Sequence, residues 1–262
     1  MNRRSLWRAP LAVVAAAWFG ACTTVSTSPT TIAAMEFDSL AYPSIVTGDT
    51  LRDSLGKAAP LHAVAFNGNG AVIANPSIRY LLLDSGVTIG AGGIVTAQAR
   101  SGTANIVASA NGIQTKARPL IITRRPDSVV VTGKLVDTLR YVLPDEAGLN
   151  VTAELGVRVA TFDTTGGVKN TQGWLVSYQL LFAGKVVAKT DTTVASLWTT
   201  GSQNGSLVDT TDANGLASRR VRIRALGLPS AAESVVVIAT VRYKGAAVRG
   251  SPVRFVIHTR PK

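Results

Sequence analysis

Residues 235–243 read Val-Val-Val-Ile-Ala-Thr-Val-Arg-Tyr, and this run decides the fold class. Every second residue from Val235 to Tyr243 is apolar, whereas the intervening positions become polar towards the end, at Thr240 and Arg242. Alternation with a period of two is typical of a strand that has one buried and one solvated face. The run therefore predicts a strand of an antiparallel sheet that is packed on one side.

Similar runs rich in Val, Ile and Thr occur along the chain, separated by Asn-Gly, Gly-Gly and Lys-Gly turns at roughly 8–12 residue intervals. Two of them have clear faces: Val221, Ile223 and Ala225 oppose Arg220, Arg222 and Arg224, and Val253, Phe255 and Ile257 oppose Arg254 and His258. The heaviest predicted core stripe consists of Trp174, Val176, Tyr178, Leu180 and Phe182. After the first 22 residues no segment has a capped helical period, so the sequence predicts an all-β protein.

The composition limits the possible classes of protein. The chain has 262 residues, of which 46% are hydrophobic and 16% charged, and this balance argues against disorder and against a coiled coil. One cysteine excludes an intramolecular disulfide and a multi-cysteine zinc site. Two histidines leave little room for histidine-based catalysis.

The N-terminus has the three parts of a secretory signal peptide. Arg3, Arg4 and Arg8 precede a short apolar run at 9–19, and Gly20-Ala21-Cys22 closes it. The run is shorter than the about 20 apolar residues that span a bilayer. Removal of 1–21 takes away three arginines and no acid, which lowers the net charge from +12 to +9.

The sequence Phe19-Gly20-Ala21-Cys22 resembles a bacterial lipobox, although Phe19 stands where leucine is usual. The resemblance implies that Cys22 is diacylated, that the signal is removed and that the new amine is acylated, for example with palmitate. Several acyl chains on one residue make a stable membrane anchor. Thr23 in place of aspartate implies sorting to the outer membrane. The alternative is an ordinary signal peptide with an incidental cysteine.

Short repeats divide the rest of the chain. Asp38-Ser39-Leu40 returns as Asp127-Ser128-Val129, and Asp49-Thr50-Leu51-Arg52 returns as Asp137-Thr138-Leu139-Arg140, at spacings of 89 and 88. This period is the size of a small β-sandwich. A later pair, at Gly93 and Gly215, is offset by 122, so the second copy carries about 33 extra residues, most simply between Thr161 and Gly205.

The predicted organisation has four parts. A signal peptide occupies 1–21, and the lipidated Cys22 with a polar tether occupies 22–35. Two tandem β-sandwiches follow at 36–123 and at 124–262, the second with the insertion. The boundary lies near the Thr-Arg-Arg-Pro sequence at 123–126, where a strand ends in charge and proline.

The segment from about Phe37 to Ile122 resembles a bacterial immunoglobulin-like repeat of group 2. Gly93-Ile94-Val95-Thr96-Ala97 matches the "G-x-V-T-A" hallmark of that family, and the run 102–108 (Gly-Thr-Ala-Asn-Ile-Val-Ala) matches "G-T-A-x-I-x-A". The tryptophan that is usual in the middle strand is absent. The later run 209–217 is only weakly similar to immunoglobulin-like repeats of bacterial adhesins. The resemblance implies two tandem immunoglobulin-like β-sandwiches in an extracytoplasmic setting, but it implies little about chemistry.

The sequence has no recognisable catalytic motif. Nucleophile-elbow, zinc-protease, P-loop and dinucleotide-binding patterns are missing, and the carboxylates are scattered. The run 209–215 fails the EF-hand pattern, which leaves a plain turn or an adventitious Ca²⁺ site. We therefore expect a protein that is not an enzyme and has no cofactor and no dedicated metal site.

Clustered positive charge is the one feature of the remaining sequence that suggests a binding function. Arg220, Arg222 and Arg224 share a predicted strand face about 6.6–7 Å apart, and neighbouring strands would add Arg242, Lys244 and Arg254. Such a face would bind envelope polysaccharide or another polyanion by counterion release. No aromatic residues interleave with the arginines, which argues against sequence-specific nucleic-acid binding. The alternative is a solvated face that deters aggregation.

The sequence favours a non-enzymatic, lipid-anchored envelope protein that acts as a surface binding, adhesion or structural module. Loops at a sandwich end, or the extra segment, would then carry any specific contact. Two alternatives remain open. The second sandwich is a degenerate polysaccharide-active domain, which requires two carboxylates in a cleft. Or the chain is a subunit of an envelope assembly with a protein partner, which requires an exposed apolar patch.

Overall fold

The computed structural model describes residues 30–98, 101–144, 146, 148–163, 165–199, 201–202, 205–224, 228 and 234–262. The predicted signal peptide, Cys22 and most of the tether lie outside these ranges, as does Ala225. Within the described ranges the chain forms strands and turns, with one short 3₁₀ turn at Ala91–Gly93. No helix in this part of the chain is long and apolar enough to span a membrane.

The first sandwich contains nine short strands. They are β1 (Ala34–Phe37), β2 (Ser44–Val46), β3 (Ala63–Phe66), β4 (Arg79–Leu82), β5 (Val87–Ile89), β6 (Val95–Ala97), β7 (Gly102–Ala110), β8 (Ile113–Gln114) and β9 (Arg118–Thr123).

One sheet of the first sandwich has the order β2-β9-β7-β4, with β8 added to β7, and β2 runs parallel to β9. The strand pairs β1-β3 and β5-β6 complete the sandwich. In immunoglobulin notation the first sheet is A′-G-F-C, and the two pairs are A-B and D-E.

The described residues of the second sandwich form thirteen strands. They are β10 (Ser128–Val131), β11 (Val136–Tyr141), β12 (Leu155–Phe162), β13 (Val168–Asn170), β14 (Leu175–Phe182), β15 (Lys185–Val186), β16 (Ala195–Thr199), β17 (Val208–Thr210), β18 (Leu216–Ile223), β19 (Ser234–Thr240), β20 (Arg242–Tyr243), β21 (Ala246–Ala247) and β22 (Val253–Pro261).

Two larger sheets form this second sandwich. The order β10-β12-β18-β16 corresponds to A-B-E-D, and the order β11-β22-β19-β14-β15 corresponds to A′-G-F-C with an added strand. The A′ strand β11 again runs parallel to the last strand, β22. The protein is therefore an all-β chain of two tandem immunoglobulin-like sandwiches.

The alternation predicted from the sequence is confirmed in β19 and β22. Val235 pairs with Ile257 and Val237 with Phe255, and these four side chains are at most 1% exposed. The stripe that begins at Trp174 is buried as far as Leu180, with Phe182 partly buried at its end. These residues belong to one apolar cluster that runs through both sandwiches.

The second sandwich is longer mainly between strands C and E. Strands B and C are separated by 67–78 in the first sandwich and by 163–174 in the second, which are equal lengths. Residues 83–94 separate strands C and E in the first sandwich, and residues 183–215 separate them in the second. The repeat offset places the extra residues at 161–205. Much of this stretch is instead the central strand β14 and the segment 163–174 that leads to it. The added length follows β14, where this interval contains β15 and β17 in addition to β16, the counterpart of strand D.

Candidate functional sites at the domain junction

Three aromatic side chains from the two sandwiches stack at the domain junction. The ring centroids of Tyr42 and Trp174 lie 5.0 Å apart, and those of Trp174 and Tyr243 lie 6.0 Å apart. Trp174 is 4% exposed, and its Nε1 donates a hydrogen bond to the Arg242 carbonyl at 3.2 Å. Tyr42 Oη accepts a hydrogen bond from the Leu175 amide at 3.1 Å, and burial raises the pKa of the Tyr42 phenol well above its ordinary range.

A carboxylate links the two sandwiches beside this stack. Asp49 Oδ2 lies 3.0 Å from Lys244 Nζ and accepts a hydrogen bond from Tyr243 Oη at 3.1 Å. Asp49 Oδ1 accepts hydrogen bonds from Arg52 Nη2 and from the Thr50 amide, both at 2.9 Å. Partial burial alone would raise the pKa of Asp49, but the hydrogen bonds from Arg52, Lys244, Thr50 and Tyr243 outweigh it and hold the pKa well below its usual value.

Glycines allow the two backbones to approach closely here. A Cβ on Gly56 would fall 2.6 Å from the Gly245 amide nitrogen, and a Cβ on Gly173 would fall 2.8 Å from Ile121 Cδ1. Real Cβ atoms essentially never come this close to a heavy atom. At Gly56 the neighbouring atoms are backbone, so glycine is required there for the sandwiches to pack as they do. At Gly173 the nearest atom is the end of the Ile121 side chain, so a larger residue requires Ile121 to move.

We call this part of the interface the closed side of the junction; it consists of Tyr42, Asp49, Gly56, Trp174, Tyr243 and Lys244. The cavity that it leaves has a volume of about 30 Å³. That space holds about two water molecules. The closed side is thus well packed, and it resembles a domain core more than a ligand site.

A second depression at the junction has the opposite character. It has a volume of about 550 Å³ and is lined by both sandwiches and by the segment between them. Gln172 lines this depression, Trp174 lies on the closed side, and Gly173 stands between them. We call it the basic groove; its polar lining residues include Ser101, Thr103, Arg124, Lys169, Asn170 and Gln172.

The structure does not bring the six predicted polyanion-binding residues together. Arg220, Arg222 and Arg224 belong to the A-B-E-D sheet or its end, whereas Arg254 lies in β22 of the other sheet. Arg242 and Lys244 belong to the β20-β21 hairpin at the junction. These residues therefore form three separate groups and not one face.

Two of these groups are also engaged in packing. Arg222 is 4% exposed because it lies over the Trp198 ring, 5.2 Å from the centroid, and donates to the Glu146 carbonyl at 3.2 Å. Arg220 Nε donates to the Thr152 carbonyl at 2.9 Å. Lys244 is paired with Asp49, and that hydrogen bond raises the pKa of Lys244. A continuous arginine stripe is therefore not available to a polyanion.

The most buried cation of this region is Arg219, which points into the sandwich. It is 2% exposed and shares the inward parity of Ala217 and Val221. Its Nη1 lies 2.8 Å from Asp209 Oδ2, and its guanidinium lies over the Tyr178 ring at 5.5 Å. Asp209 is in β17, which pairs with β14 of the A′-G-F-C sheet, and Arg219 is in β18 of the other sheet, so this pair connects the two sheets.

The other candidate groups have structural partners. Asp212 Oδ1 accepts hydrogen bonds from the Asn214 and Leu216 amides at 2.8 and 2.9 Å, as expected for a turn. His62 lies against Asp38, both at exposed positions, and the exposed His258 lies against the half-buried Ser234. Among the described residues no cluster of three or more His, Cys, Asp or Glu side chains is placed to hold a metal ion.

The geometry does not favour the polysaccharide-active alternative. One pocket contains two carboxylates, Asp49 and Asp53, but its volume of about 30 Å³ is too small for a sugar ring. Asp49 is also occupied by the cations and hydroxyl described above.

The closed side contains residues whose role the sequence does not reveal. The repeat marks Asp49 only as the start of a duplicated Asp-Thr-Leu-Arg run, and in the second copy this run lies in the edge strand β11. There Asp137 faces Lys134 at 4.0 Å. Lys244, the partner of Asp49, is far away in the chain, so no local spacing signals the pair.

Comparisons with known proteins add little to this description. No protein-family model matches the chain, and no curated protein is significantly similar to it. Domains 4 and 5 of the S-layer protein SbsC align at 12% identity and a TM-score of 0.31, over 87% of this chain and 98% of that one.

Two further structures align in the same range. The Yersinia pseudotuberculosis adhesin InvE aligns at 15% identity and a TM-score of 0.32, over 90% of this chain and 60% of that one. Cadherin domains 3–6 of protocadherin gamma B2 align at 15% identity and a TM-score of 0.27, over 87% and 51%. At these scores the similarities carry no argument, and the fold rests on the strand orders given above.

Proposed function

We propose that this chain is a non-enzymatic module of the bacterial cell envelope, in which two immunoglobulin-like sandwiches form a rigid arm. The observation that supports this most is the closed side of the junction, where an aromatic stack and the Asp49 cluster join the two bodies. Loosely joined domains have more polar and more weakly packed interfaces. A fixed angle between the sandwiches suits a spacer or a binding platform.

We propose further that the arm is attached to the outer membrane through acyl chains on Cys22. The support is the basic, apolar and small-residue order of the first 22 residues. The test is metabolic labelling of cells that express the full chain with radioactive palmitate. The wild-type protein should be labelled and sediment with membranes, and Cys22→Ser should lose both properties. Equal labelling of the two proteins would contradict the anchor.

We propose that the first sandwich is a group 2 bacterial immunoglobulin-like repeat. Its two hallmark runs become strands β6 and β7, and the alternate residues of both runs fill the core. Val95 and Ala97 are at most 1% exposed, and Ala104, Ile106 and Ala108 are fully buried. Small and branched side chains at these positions therefore have a packing reason.

One observation favours the second candidate function, a subunit of an envelope assembly. Val130, Phe162, Val168 and Leu216 are 38–58% exposed on strands of the A-B-E-D sheet, and Phe162 pairs directly with Val168. A photo-crosslinker placed at Phe162 should give a discrete crosslinked product in cells if a protein covers this patch. The control position is Thr138, on the other sheet. Identical patterns from both positions would exclude this interface.

A further inference from the structure

Both sandwiches contribute residues to the basic groove. Ser101 precedes β7 and Thr103 lies at its start, Arg124 follows β9, and Lys169 and Asn170 belong to β13. Its volume of about 550 Å³ is within the range of ligand sites in proteins. The groove therefore depends on the packing of the two sandwiches against each other.

The residues that line the groove carry positive charge only, and an acid that senses it is Asp163, whose pKa is lowered by the hydrogen bond from Thr165 and, less strongly, by the charge of Lys169. Arg124 and Lys169 are exposed, and neither forms an ion pair of 4.0 Å or less that we observe with another described residue. None of the residues that line the groove carries a carboxylate. Two exposed cations among neutral lining groups produce a positive potential that attracts anions.

The shape of the groove is fixed by buried residues. Ile122 and Thr123 at its base are 3% and 6% exposed, and they end the strand β9 that pairs with β7. At its edge a Cβ on Gly173 would fall 2.8 Å from Ile121 Cδ1, so a side chain there requires Ile121 to move. The buried floor of the groove is therefore preformed, whereas the exposed side chains that would contact a ligand are ordered on binding.

The remaining lining groups indicate the class of ligand. Ser101, Thr103, Asn170 and Gln172 offer neutral donors and acceptors that match hydroxyl groups. No aromatic side chain lines the groove, so it has no platform on which nucleobases would stack. Cations together with neutral hydrogen-bonding side chains suit a chain of sugars that carries carboxylates.

We propose that the basic groove binds an acidic glycan, with Arg124 and Lys169 contacting carboxylates and the neutral side chains contacting hydroxyl groups. The proposal rests on the proposed function, because the groove exists only while the two sandwiches keep their relative position. It places the polyanion site at the domain junction and not on β18, the strand that contains Arg220 and Arg222.

The test is titration of oligogalacturonate into the full chain, purified in non-ionic detergent, over a series of salt concentrations. Arg124→Ala combined with Lys169→Ala should weaken binding about tenfold at low salt, since two exposed charge contacts are lost. The slope of log K against log salt should become shallower in the double variant, because binding then releases fewer counterions. Dextran, which has no charge, should not bind measurably.

The matched control is Arg140→Ala combined with Lys185→Ala, which removes the same charge from exposed positions of the other sheet. This control should retain binding within about twofold. Equal weakening by both double variants would show attraction by net charge alone and would overturn the proposal. Absence of oligogalacturonate binding, or tighter binding of single-stranded DNA than of oligogalacturonate, would also overturn it.

Failure of this proposal is distinguishable from failure of the proposed function. Membrane attachment and the fixed distance between the sandwiches are measured without any ligand. If these two properties hold and the glycan does not bind, the proposed rigid arm is retained and the assignment of the groove as a glycan site is rejected. If the distance between the sandwiches varies, the proposal of a rigid arm is itself rejected.

Discussion

The two sides of the domain junction are formed by neighbouring stretches of the same chain, yet they differ in packing, charge and size. On the closed side, stacked aromatic rings and a neutralised carboxylate leave about 30 Å³ of free space. On the open side, about 550 Å³ is lined by two exposed cations and by neutral polar groups. Gly173 separates the two environments, with Gln172 on one side and Trp174 on the other.

This difference indicates that the closed side of the interface stabilises the packing of the sandwiches and that the open side is available for binding. Groups that are buried and paired on the closed side contribute to holding the sandwiches together. Groups that remain solvated on the open side contribute little to stability and stay available to a ligand. Substitutions on the two sides should therefore have distinct effects.

The largest effect is expected for Trp174→Ala. The substitution removes a 4% exposed indole that stacks on two tyrosines, and loss of such a side chain costs about 3–5 kcal/mol. The measurement is the free energy of unfolding in urea. Phe162→Ala is the control, because Phe162 is 46% exposed and its loss should cost under about 1 kcal/mol. Similar costs for the two variants would contradict the packing of the closed side.

The next effect is expected for Gly56→Ala, compared with Gly48→Ala. Both glycines have positive φ, +85° and +75°, so both substitutions carry a backbone strain of about 1–2 kcal/mol. Only at Gly56 does the added Cβ meet the backbone of the second sandwich, since nothing lies within 4 Å at Gly48. Gly56→Ala should therefore be more destabilising in the same urea titration. Equal losses would mean that the backbones at Gly56 are not in contact.

A smaller effect, which depends on pH, is expected for Asp49→Asn. At pH 7 the loss should be about 1.5 kcal/mol, the lower end for hydrogen bonds to charged groups. The folded-state pKa of Asp49 is below the unfolded value of about 3.9, so its contribution is complete above that value and is lost as the pH falls further. The difference between wild type and variant should shrink from about pH 5 to pH 2. A constant difference would contradict the charged cluster.

The smallest effect on stability is expected on the open side. Arg124→Ala combined with Lys169→Ala should change the free energy of unfolding by less than about 0.5 kcal/mol for each residue, because both side chains are exposed and unpaired with any described acid. Thermal unfolding of the double variant beside wild type measures this. A large loss would show that these cations hold the junction, and the contrast between the two sides would disappear.

Much of the fold follows from the sequence because alternation is a local property. The parity of Val235, Val237 and Phe255 assigns them to the core, and they are fully buried. The same parity places Arg219 on the core side of β18, but an arginine in a core contradicts its usual preference for solvent. Only the fold brings Asp209 to within 2.8 Å of it and resolves the conflict.

The site was less predictable because it is formed by distant residues. Arg220, Arg222 and Arg224 alternate as expected, yet the indole of Trp198 and the carbonyl of Glu146 cover Arg222. Strand parity assigns a face but does not say which loops lie over it or which sheet a neighbour joins. The meeting of Asp49 with Lys244, and of Arg124 with Lys169 at one groove, depends on how the two sandwiches pack.

The most direct test of the rigid arm is the distance between the sandwiches in solution. Thr88 and Lys185 are exposed positions in the first and the second sandwich. Thr88→Cys and Lys185→Cys, introduced into the full chain together with Cys22→Ser, provide two sites for spin labels. Pulsed electron double resonance should give one narrow distance distribution, and Gly56→Ala should broaden it. A broad distribution in the parent protein, unchanged by Gly56→Ala, would contradict a junction of fixed geometry.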